Sequence, residues 1–350
     1  MIRNFDKNLD DLLKNGFTNI TNFFPKEKIN IISNEIQRIF LNDRGNKEEN
    51  EFKKQEKNIK KIYAKKGCST KLNVFTGPVL GKSKVIDKFI IELFDSPEFK
   101  TLTEKLVGKN FKIYTLHLRE LNNFSTKYLG LHQDAYYQAS FQIPLHDISN
   151  NDSGTCFVSG SHLSKFPLLD QLLSIAEKVS NKFFAFCTKK YQCKIGDFGI
   201  FLSKTFHGNN IKKHGIKVSS SILIALNAEG GYRHTPWHPP TTTDYNEDFK
   251  SSIGENLYER MFSKEDLIKV DNDYFTYLKN VPADQKISKI ATSSSGSAMC
   301  TISEITSKER RHLLDKIIFD HHNISLNTRL VIFYIKSILK IKNFIKKIFY

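Results

Sequence analysis

The chain has 350 residues, of which 39% are hydrophobic and 12% are aromatic. This composition excludes global disorder and allows a sizeable core. The formal net charge of +16 is spread along a chain that is also rich in Asn, Ile and Phe. No nucleic-acid-binding motif accompanies the charge, so nucleic acid is not an expected partner.

The cysteines indicate a reducing compartment. There are five of them, an odd number without a CxxC pair, which favours reduced thiols over a disulfide framework or a structural zinc site. The N-terminal residues contain no apolar segment of a secretory signal, and no run of about 18 apolar residues predicts a membrane-spanning helix. We therefore expect a soluble, cytoplasmic protein.

The first hundred residues have mainly helical signals. A short strand at 16–20 precedes a helix that begins at Pro25, because proline is favoured in the first turn, and ends near Leu41. Residues 43–66 are dominated by Lys, Glu and Asn, which predicts a solvent-exposed helix or insertion. Two amphipathic helices are predicted at about 84–94 and 97–107.

From Phe111 onward the period of the apolar residues changes to two. Between Phe111 and Leu121, Leu116 and Leu118 share one face of a predicted strand, and His117 and Arg119 share the other. Apolar residues at 137–145 alternate with Gln138, Ser140 and Gln142, as in a half-buried strand. Further short strands punctuated by turns predict an all-β barrel or sandwich. These strands lie at 155–158, 198–202 and 216–226, and a helix is predicted at about 168–180.

The pattern divides the chain into a domain at 1–227 and two additions. Residues 228–300 are loop-rich and form either a cover for the site or a linker. Residues 301–350 are predicted to be helical. Their last part, 329–350, is a basic amphipathic segment that either packs on the barrel or lies on an anionic membrane surface.

A candidate metal site begins at His132 and Asp134, just before the strand at 137–145. Residues two apart on an extended segment point the same way, so this imidazole and this carboxylate can bind one ion. His207, which follows the strand at 198–202, is the best candidate for a third ligand. Two histidines and one carboxylate leave three coordination positions open, which suits oxygen-activating Fe(II). Those positions can accept a 2-oxo acid and O2.

A dicarboxylate co-substrate also requires a cation for its far carboxylate. Lys217 begins the last predicted strand, and alternation places Ser219 and Ser221 on the same face. A buried lysine beside hydroxyl groups is costly unless an anion neutralises it. The alternative is a lysine at a strand end that extends to solvent. Arg119 is a second candidate for the same carboxylate.

Several blocks, in order from about Gly16 to Asn227, resemble the phytanoyl-CoA dioxygenase family of Fe(II)- and 2-oxoglutarate-dependent oxygenases. They include the family's His-Gln-Asp motif at 132–134, a turn at 151–162 similar to its Pro-Gly-Ser-His turn, and a Gly-Asp strand that leads to His207. The resemblance implies a double-stranded β-helix of the jelly-roll, cupin-like kind, with helices flanking its N- and C-terminal ends. It also implies hydroxylation of a small organic substrate with release of succinate and CO2.

Two departures from the family pattern affect these expectations. Lys217 stands where the family has arginine, which removes the two-pronged contact with a carboxylate. A barrel without turnover that serves as a binding module therefore stays as an alternative, as does a metal-dependent hydrolase or isomerase. Ser159 replaces the proline of the turn, a change that we expect to be structural, like the role of His162. Asp134 favours hydroxylation, because halogenating relatives have a small residue at that position.

The substrate is not identified by any motif. The basic composition indicates an anionic substrate, or one linked to a lipid or a glycan. His117, on the polar face of its strand, is a candidate for a substrate contact.

Overall fold

A computed structural model describes residues 3–44, 74–121, 138–149, 152, 154–163, 188–210, 219–228 and 247–263. The predictions for 168–180, for 301–350 and for most of 43–66 lie outside these residues. The helices are α1 (Asp6–Asn15), α2 (Lys26–Arg44), α3 (Lys84–Asp95), α4 (Pro97–Val107), α5 (Glu247–Ser252) and α6 (Glu255–Glu259).

The helices α3 and α4 begin where the sequence predicts, because each start has a side-chain cap. Ser83 Oγ accepts a hydrogen bond from the backbone N–H of Val85, and Ser96 Oγ accepts one from Phe99, both at 3.2 Å. Pro97 occupies the first turn of α4, where its missing N–H costs nothing. Buried apolar residues then line one face of each helix.

The strands form two antiparallel sheets. The larger has the order β1-β7-β4-β9-β3-β2 and the smaller the order β6-β5-β8. The two sheets and flanking helices confirm the predicted fold class, a jelly-roll with helical additions. Their strands are β1 (Phe17–Ile20), β2 (Val74–Pro78), β3 (Lys112–Leu121), β4 (Gln138–Pro144), β5 (Gly154–Phe157), β6 (Lys189–Lys190), β7 (Phe198–Leu202), β8 (His207–Asn210) and β9 (Ser219–Asn227).

The two faces of the larger sheet have opposite character. Cross-strand pairs such as Phe141 with Ile200 and with Ile224 belong to the large apolar core that also contains the buried residues of α2, α3 and α4. Phe141 and Phe198 stack with ring centroids 5.3 Å apart. We call this the helical face.

The opposite face, which we call the inner face, is directed towards the smaller sheet. A second apolar cluster joins Phe201 of the larger sheet to Phe157 of the smaller one, with Phe17 and Leu223 packed against it. Most other inner-face residues are polar. In β4 they are Gln138, Ser140 and Gln142, which alternate with the apolar residues of the helical face. The sequence predicts a half-buried strand there, but every residue of β4 is buried, because the face that was expected to meet water lies on the side of the second apolar cluster.

The helices α5 and α6 pack on the helical side of the larger sheet. Ile253, Leu257 and Met261 join the large core, and the backbone N–H of Ile113 donates to the carbonyl of Arg260 at 2.7 Å. The rest of the predicted loop-rich extension at 228–300 lies outside the described residues. Within the described ranges, no helix is long and apolar enough to cross a membrane.

Candidate functional site

His207 is the first residue of β8 and is 1% exposed. Its Nδ1 donates to the backbone carbonyl of Thr205 at 2.8 Å, since a carbonyl oxygen can only accept. This bond selects the tautomer whose lone pair is on Nε2, the nitrogen that binds a metal in such an arrangement. The ring lies 4.9 Å from that of Phe201 and 6.3 Å from that of Phe157, centroid to centroid.

The turn at 203–206 that orients His207 is held by the N-terminal part of the chain. The carbonyl of Gly16 accepts two hydrogen bonds at 2.9 Å, from the N–H of Leu202 and from Thr205 Oγ1. Ser161 Oγ accepts the N–H of Phe206 at 2.8 Å. The position of the histidine therefore depends on contacts with residues about 45 and 190 positions earlier.

Ser161 belongs to the turn at 159–162, which receives the C-terminal end of α1. His162 is fully buried, and its Nε2 is 2.8 Å from the carbonyl of Leu13. Ser159 Oγ donates to Asn15 Oδ1 at 2.9 Å. These contacts agree with the structural roles that the sequence predicts for His162 and Ser159.

Arg119 lies on the inner face of β3, directly opposite Ser221 of β9, and is 9% exposed. Gln142 Nε2 donates to Ser221 Oγ at 3.0 Å, so the hydroxyl hydrogen of Ser221 can point elsewhere. A guanidinium, a hydroxyl and an amide are thus close together at one end of the inner face. Such groups together can bind a carboxylate.

His117 is on the same face as Arg119, two residues earlier in β3. Burial lowers its pKa to about 4, because the charged imidazolium loses water that nothing replaces. The imidazole is therefore neutral at physiological pH and is able to accept or to donate one hydrogen bond. Its contact with a substrate stays a prediction.

The other end of the inner face contains Gln138, Ser140 and Asn227, all of them at most 4% exposed. Ser140 Oγ and Ser203 Oγ are 3.1 Å apart, and the N–H of Ser203 donates to the carbonyl of Gln138 at 3.0 Å. This end is therefore attached to the turn that orients His207. Asn227 pairs with Gln138 across the sheet, and its Oδ1 has no hydrogen-bond partner among the described residues.

The remaining predicted ligands fall where the structure is not described. His132, Asp134 and Lys217 lie outside the described residues, and only the backbone of Ser219 is described, paired with Leu121. No group of three potential metal-binding side chains occurs within the part of the chain that is described. Of the predicted ligands of the metal and of the co-substrate, the structure thus places two side chains, those of His207 and Arg119.

A sequence model of the phytanoyl-CoA dioxygenase (PhyH) family matches residues 12–210. The chain belongs to the PhyH family. The match confirms the resemblance found in the sequence and, with it, the prediction of an enzyme of the Fe(II)- and 2-oxoglutarate-dependent class. No curated protein matches the chain.

Solved structures are similar to this PhyH-family chain at a low level. HygX from Streptomyces hygroscopicus, with nickel and 2-oxoglutarate bound, has 14% identity and a TM-score of 0.48, over 71% of this chain and 94% of HygX. The epimerase SnoN, in complex with Fe3+, alpha ketoglutarate and nogalamycin RO, has 14% identity and a TM-score of 0.47, over 67% and 87% of the two chains. AviO1 from Streptomyces viridochromogenes Tue57 has 14% identity and a TM-score of 0.41, over 68% and 99%. Likenesses at this level carry no argument about the reaction or substrate of this chain.

The sequence did not indicate four polar residues of the inner face as parts of a site, namely Gln138, Ser140, Gln142 and Asn227. Alternation alone assigns Gln138, Ser140 and Gln142 to the solvent side of β4, and Asn227 to a strand end. A usable signal was present: in a chain with 53 Lys and Arg, a solvent-exposed strand face without any charge is unusual. Uncharged polar residues on a covered face indicate hydrogen-bonded burial or contact with a ligand.

Proposed function

We propose that this PhyH-family enzyme hydroxylates a small organic substrate and releases succinate and CO2. His132, Asp134 and His207 hold Fe(II), and Arg119 contributes to the binding of 2-oxoglutarate. The observation that carries the proposal is the arrangement around His207. Its imidazole has one nitrogen committed to a backbone carbonyl and lies beside a buried face that is polar.

The donor set fits iron in chemical terms. Neutral imidazole nitrogen and carboxylate oxygen suit Fe(II), and a set of two histidines and one carboxylate leaves room for a bidentate co-substrate and for O2. The bond from His207 Nδ1 to Thr205 is the kind of outer contact that fixes the ring of a metal ligand. When bound, iron and 2-oxoglutarate supply the oxygen activation that hydroxylates a C–H bond.

The co-substrate site is supported by the position of Arg119. Arg119 pairs with Ser221 of β9. Four residues further along β9, Ala225 pairs with Ser140, which lies beside the turn that leads to His207. At about 3.3 Å per residue this is a separation of about 13 Å. An extended arginine side chain and a five-carbon dicarboxylate together span such a distance.

Arg119 also supplies what Lys217 lacks. A guanidinium binds a carboxylate through two parallel hydrogen bonds, whereas an ammonium acts as a point charge. We therefore assign the far carboxylate of 2-oxoglutarate to Arg119 and Ser221, with Lys217 and Ser219 as the other candidates. The aromatic rings of Phe157 and Phe201, both at most 3% exposed, keep water away from the histidine.

Anaerobic addition of Fe(II) and 2-oxoglutarate tests the proposal. We expect the weak visible charge-transfer band of a chelated 2-oxo acid, and succinate once O2 is admitted. His132→Ala, Asp134→Ala and His207→Ala should each abolish the band. A band of full intensity in any of them removes that residue from the ligand set, and its absence from the wild-type protein favours the binding module without turnover.

The assignment of the far carboxylate is tested by Arg119→Leu, Lys217→Leu and a control, Arg38→Leu. Arg38 is 62% exposed in its side chain and pairs with Glu35. Loss of a charged hydrogen-bond partner costs about 1.5–3 kcal/mol, or about 10- to 150-fold in affinity. We expect that loss for Arg119→Leu in a titration of 2-oxoglutarate, and no change for Arg38→Leu. If only Lys217→Leu weakens binding, the carboxylate belongs to Lys217.

The proposal includes O2 and a small molecule as partners. The basic composition supports an anionic, lipid-linked or glycan-linked substrate, and segment 329–350 supports peripheral contact with an anionic membrane surface. Co-sedimentation of the full chain with phosphatidylserine vesicles tests the contact. Replacement of Lys346 and Lys347 by Glu should then reduce the fraction of protein bound to the vesicles. Equal binding of the wild-type protein and this variant contradicts the membrane contact.

A further inference from the structure

The inner face separates into two halves with different hydrogen-bonding states. At the Arg119 end, Gln142 and Ser221 are bonded to each other. At the His207 end, Ser140 is bonded to Ser203. Asn227 differs from these residues because its Oδ1, although buried, accepts no hydrogen bond from any described residue.

Asn227 is 4% exposed and is the last residue of β9. Strand alternation places it on the face of Ala225 and Leu223, and Leu223 packs against the cluster between the two sheets. Its side chain is therefore directed to the space between the sheets and not to the helical core. A buried amide oxygen without a partner is uncommon in folded proteins and requires an explanation, such as a ligand or an ordered water.

The position of Asn227 connects it to the reacting centre. Its cross-strand neighbour Gln138 accepts the N–H of Ser203, in the turn that orients His207. Gln138 also follows Asp134, a proposed metal ligand, by only four residues in the sequence. The far carboxylate of the co-substrate is assigned to the other end of the face, and the Asn227 end has no ligand assigned to it.

We infer that Asn227 is a specificity-determining residue whose Oδ1 accepts a hydrogen bond from a hydroxyl or amino group of the substrate. The substrate class is then a polyol, an amino alcohol or a similar molecule that carries hydrogen-bond donors close to the oxidised carbon. An alkyl chain at this place would leave the amide oxygen of Asn227 without water and without a partner, which disfavours binding. This inference rests on the proposed function and extends it to the substrate.

Two Asn→Leu variants separate a binding role from a structural one. Asn19 accepts from Tyr191 Oη at 3.1 Å and donates to Asp197 at 2.9 Å, so Asn19→Leu should lower the thermal midpoint. Asn227→Leu removes an amide oxygen that has no hydrogen-bond partner among the described residues. It should therefore leave the thermal midpoint of the ligand-free protein unchanged or raise it. A fall for Asn227→Leu as large as that for Asn19→Leu overturns the inference, because the amide is then structural.

Binding is measured on the protein loaded with Zn(II) and 2-oxoglutarate, by saturation-transfer NMR. The probes are matched pairs: myo-inositol with its hexa-O-methyl ether, and glycerol with its tri-O-methyl ether. We expect the wild-type protein to prefer the donor-bearing member of a pair about tenfold or more. Both Asn227→Leu and the smaller Asn227→Ala should lose that preference.

A wild-type protein without such a preference, or a preference that persists in both variants, overturns the inference. The same samples report 2-oxoglutarate binding through its own NMR signals. Failure of the proposed function therefore appears as loss of 2-oxoglutarate binding, whereas failure of the substrate inference appears as equal binding of the paired probes.

Discussion

Substitution of Gly16 by alanine tests whether the N-terminal turn positions His207. Gly16 has φ +83, and a Cβ there would overlap Thr205 Oγ1 and lie 2.6 Å from His162 Nδ1. Thr205 cannot move away freely, because its hydroxyl donates to the carbonyl of Gly16 and its own carbonyl accepts from His207. The substitution should therefore disturb the turn that orients the histidine.

The magnitude has two parts. A left-handed backbone costs an L-residue about 1–2 kcal/mol, and overpacking a filled site costs about 1–3 kcal/mol. Gly254→Ala is a matched control, since Gly254 has φ +76 and no atom lies within 4 Å of the place that its Cβ would occupy. It carries the backbone cost alone, so Gly16→Ala should be less stable than Gly254→Ala by about 1–3 kcal/mol, or roughly 2–12 °C in Tm.

Thermal unfolding of the two variants measures this difference. A second readout is the Fe(II) concentration that gives half of the visible band with saturating 2-oxoglutarate. We expect it to rise about 10- to 100-fold in Gly16→Ala, as is usual when an outer contact of a metal ligand is disturbed, and to stay unchanged in Gly254→Ala. Equal Tm values and equal metal affinities in the two variants would refute the coupling between Gly16 and His207.

Three further outcomes follow from the described residues. The pKa of His117 is lowered from 6.5 to about 4 in the folded protein, so the unfolded chain binds one more proton between these pH values. The free energy of unfolding should therefore rise by up to about 3 kcal/mol from pH 4 to pH 6.5. Urea unfolding of His117→Gln should show a flatter dependence, and an identical slope contradicts the burial of the neutral ring. Burial raises the pKa of Cys193 to about 12, so iodoacetamide at pH 8 should leave it unmodified in the native protein; early alkylation detected by mass spectrometry contradicts this. Asp197 accepts hydrogen bonds from the N–H of Asn22 and the amide of Asn19, and Asp197→Ala should cost about 2–4 kcal/mol in urea unfolding, with a loss below 1 kcal/mol as the contrary result.

The periodic patterns of apolar residues in the sequence predicted several helices and strands correctly. The amphipathic pattern placed α3 and α4, and two-residue alternation placed β3 and β4. The strand β2 (Val74–Pro78) was not predicted, because its Gly and Pro weaken a strand signal and its pairing with β3 is set by distant residues. The helix α1 was also missed, because its apolar residues are few among charged ones.

In the candidate site, too, the sequence indicated residues by their chemical type but not the contacts that position them. Chemistry and resemblance indicated His207 and Arg119 as functional, since their side chains carry the signal. The contact that orients His207 could not be predicted, because its partner is the backbone carbonyl of Thr205 and any residue type offers one. The proximity of Gly16 to that turn depends on strand pairing across about 185 residues, which local patterns do not encode.

The polar side of β4 bears on whether a polar ligand binds between the two sheets. Uncharged polar residues on a face that is covered by a second sheet cost free energy unless each finds a partner. Apolar side chains would fill the same space with equal or greater stability, as replacements of buried polar groups often show. Stability alone therefore does not explain Asn227, whose buried Oδ1 has no hydrogen-bond partner among the described residues, and a polar ligand between the sheets does. The buried Arg119 opposite Ser221 supports carboxylate binding both in an enzyme and in a binding module without turnover, so the formation of succinate is the result that distinguishes the two.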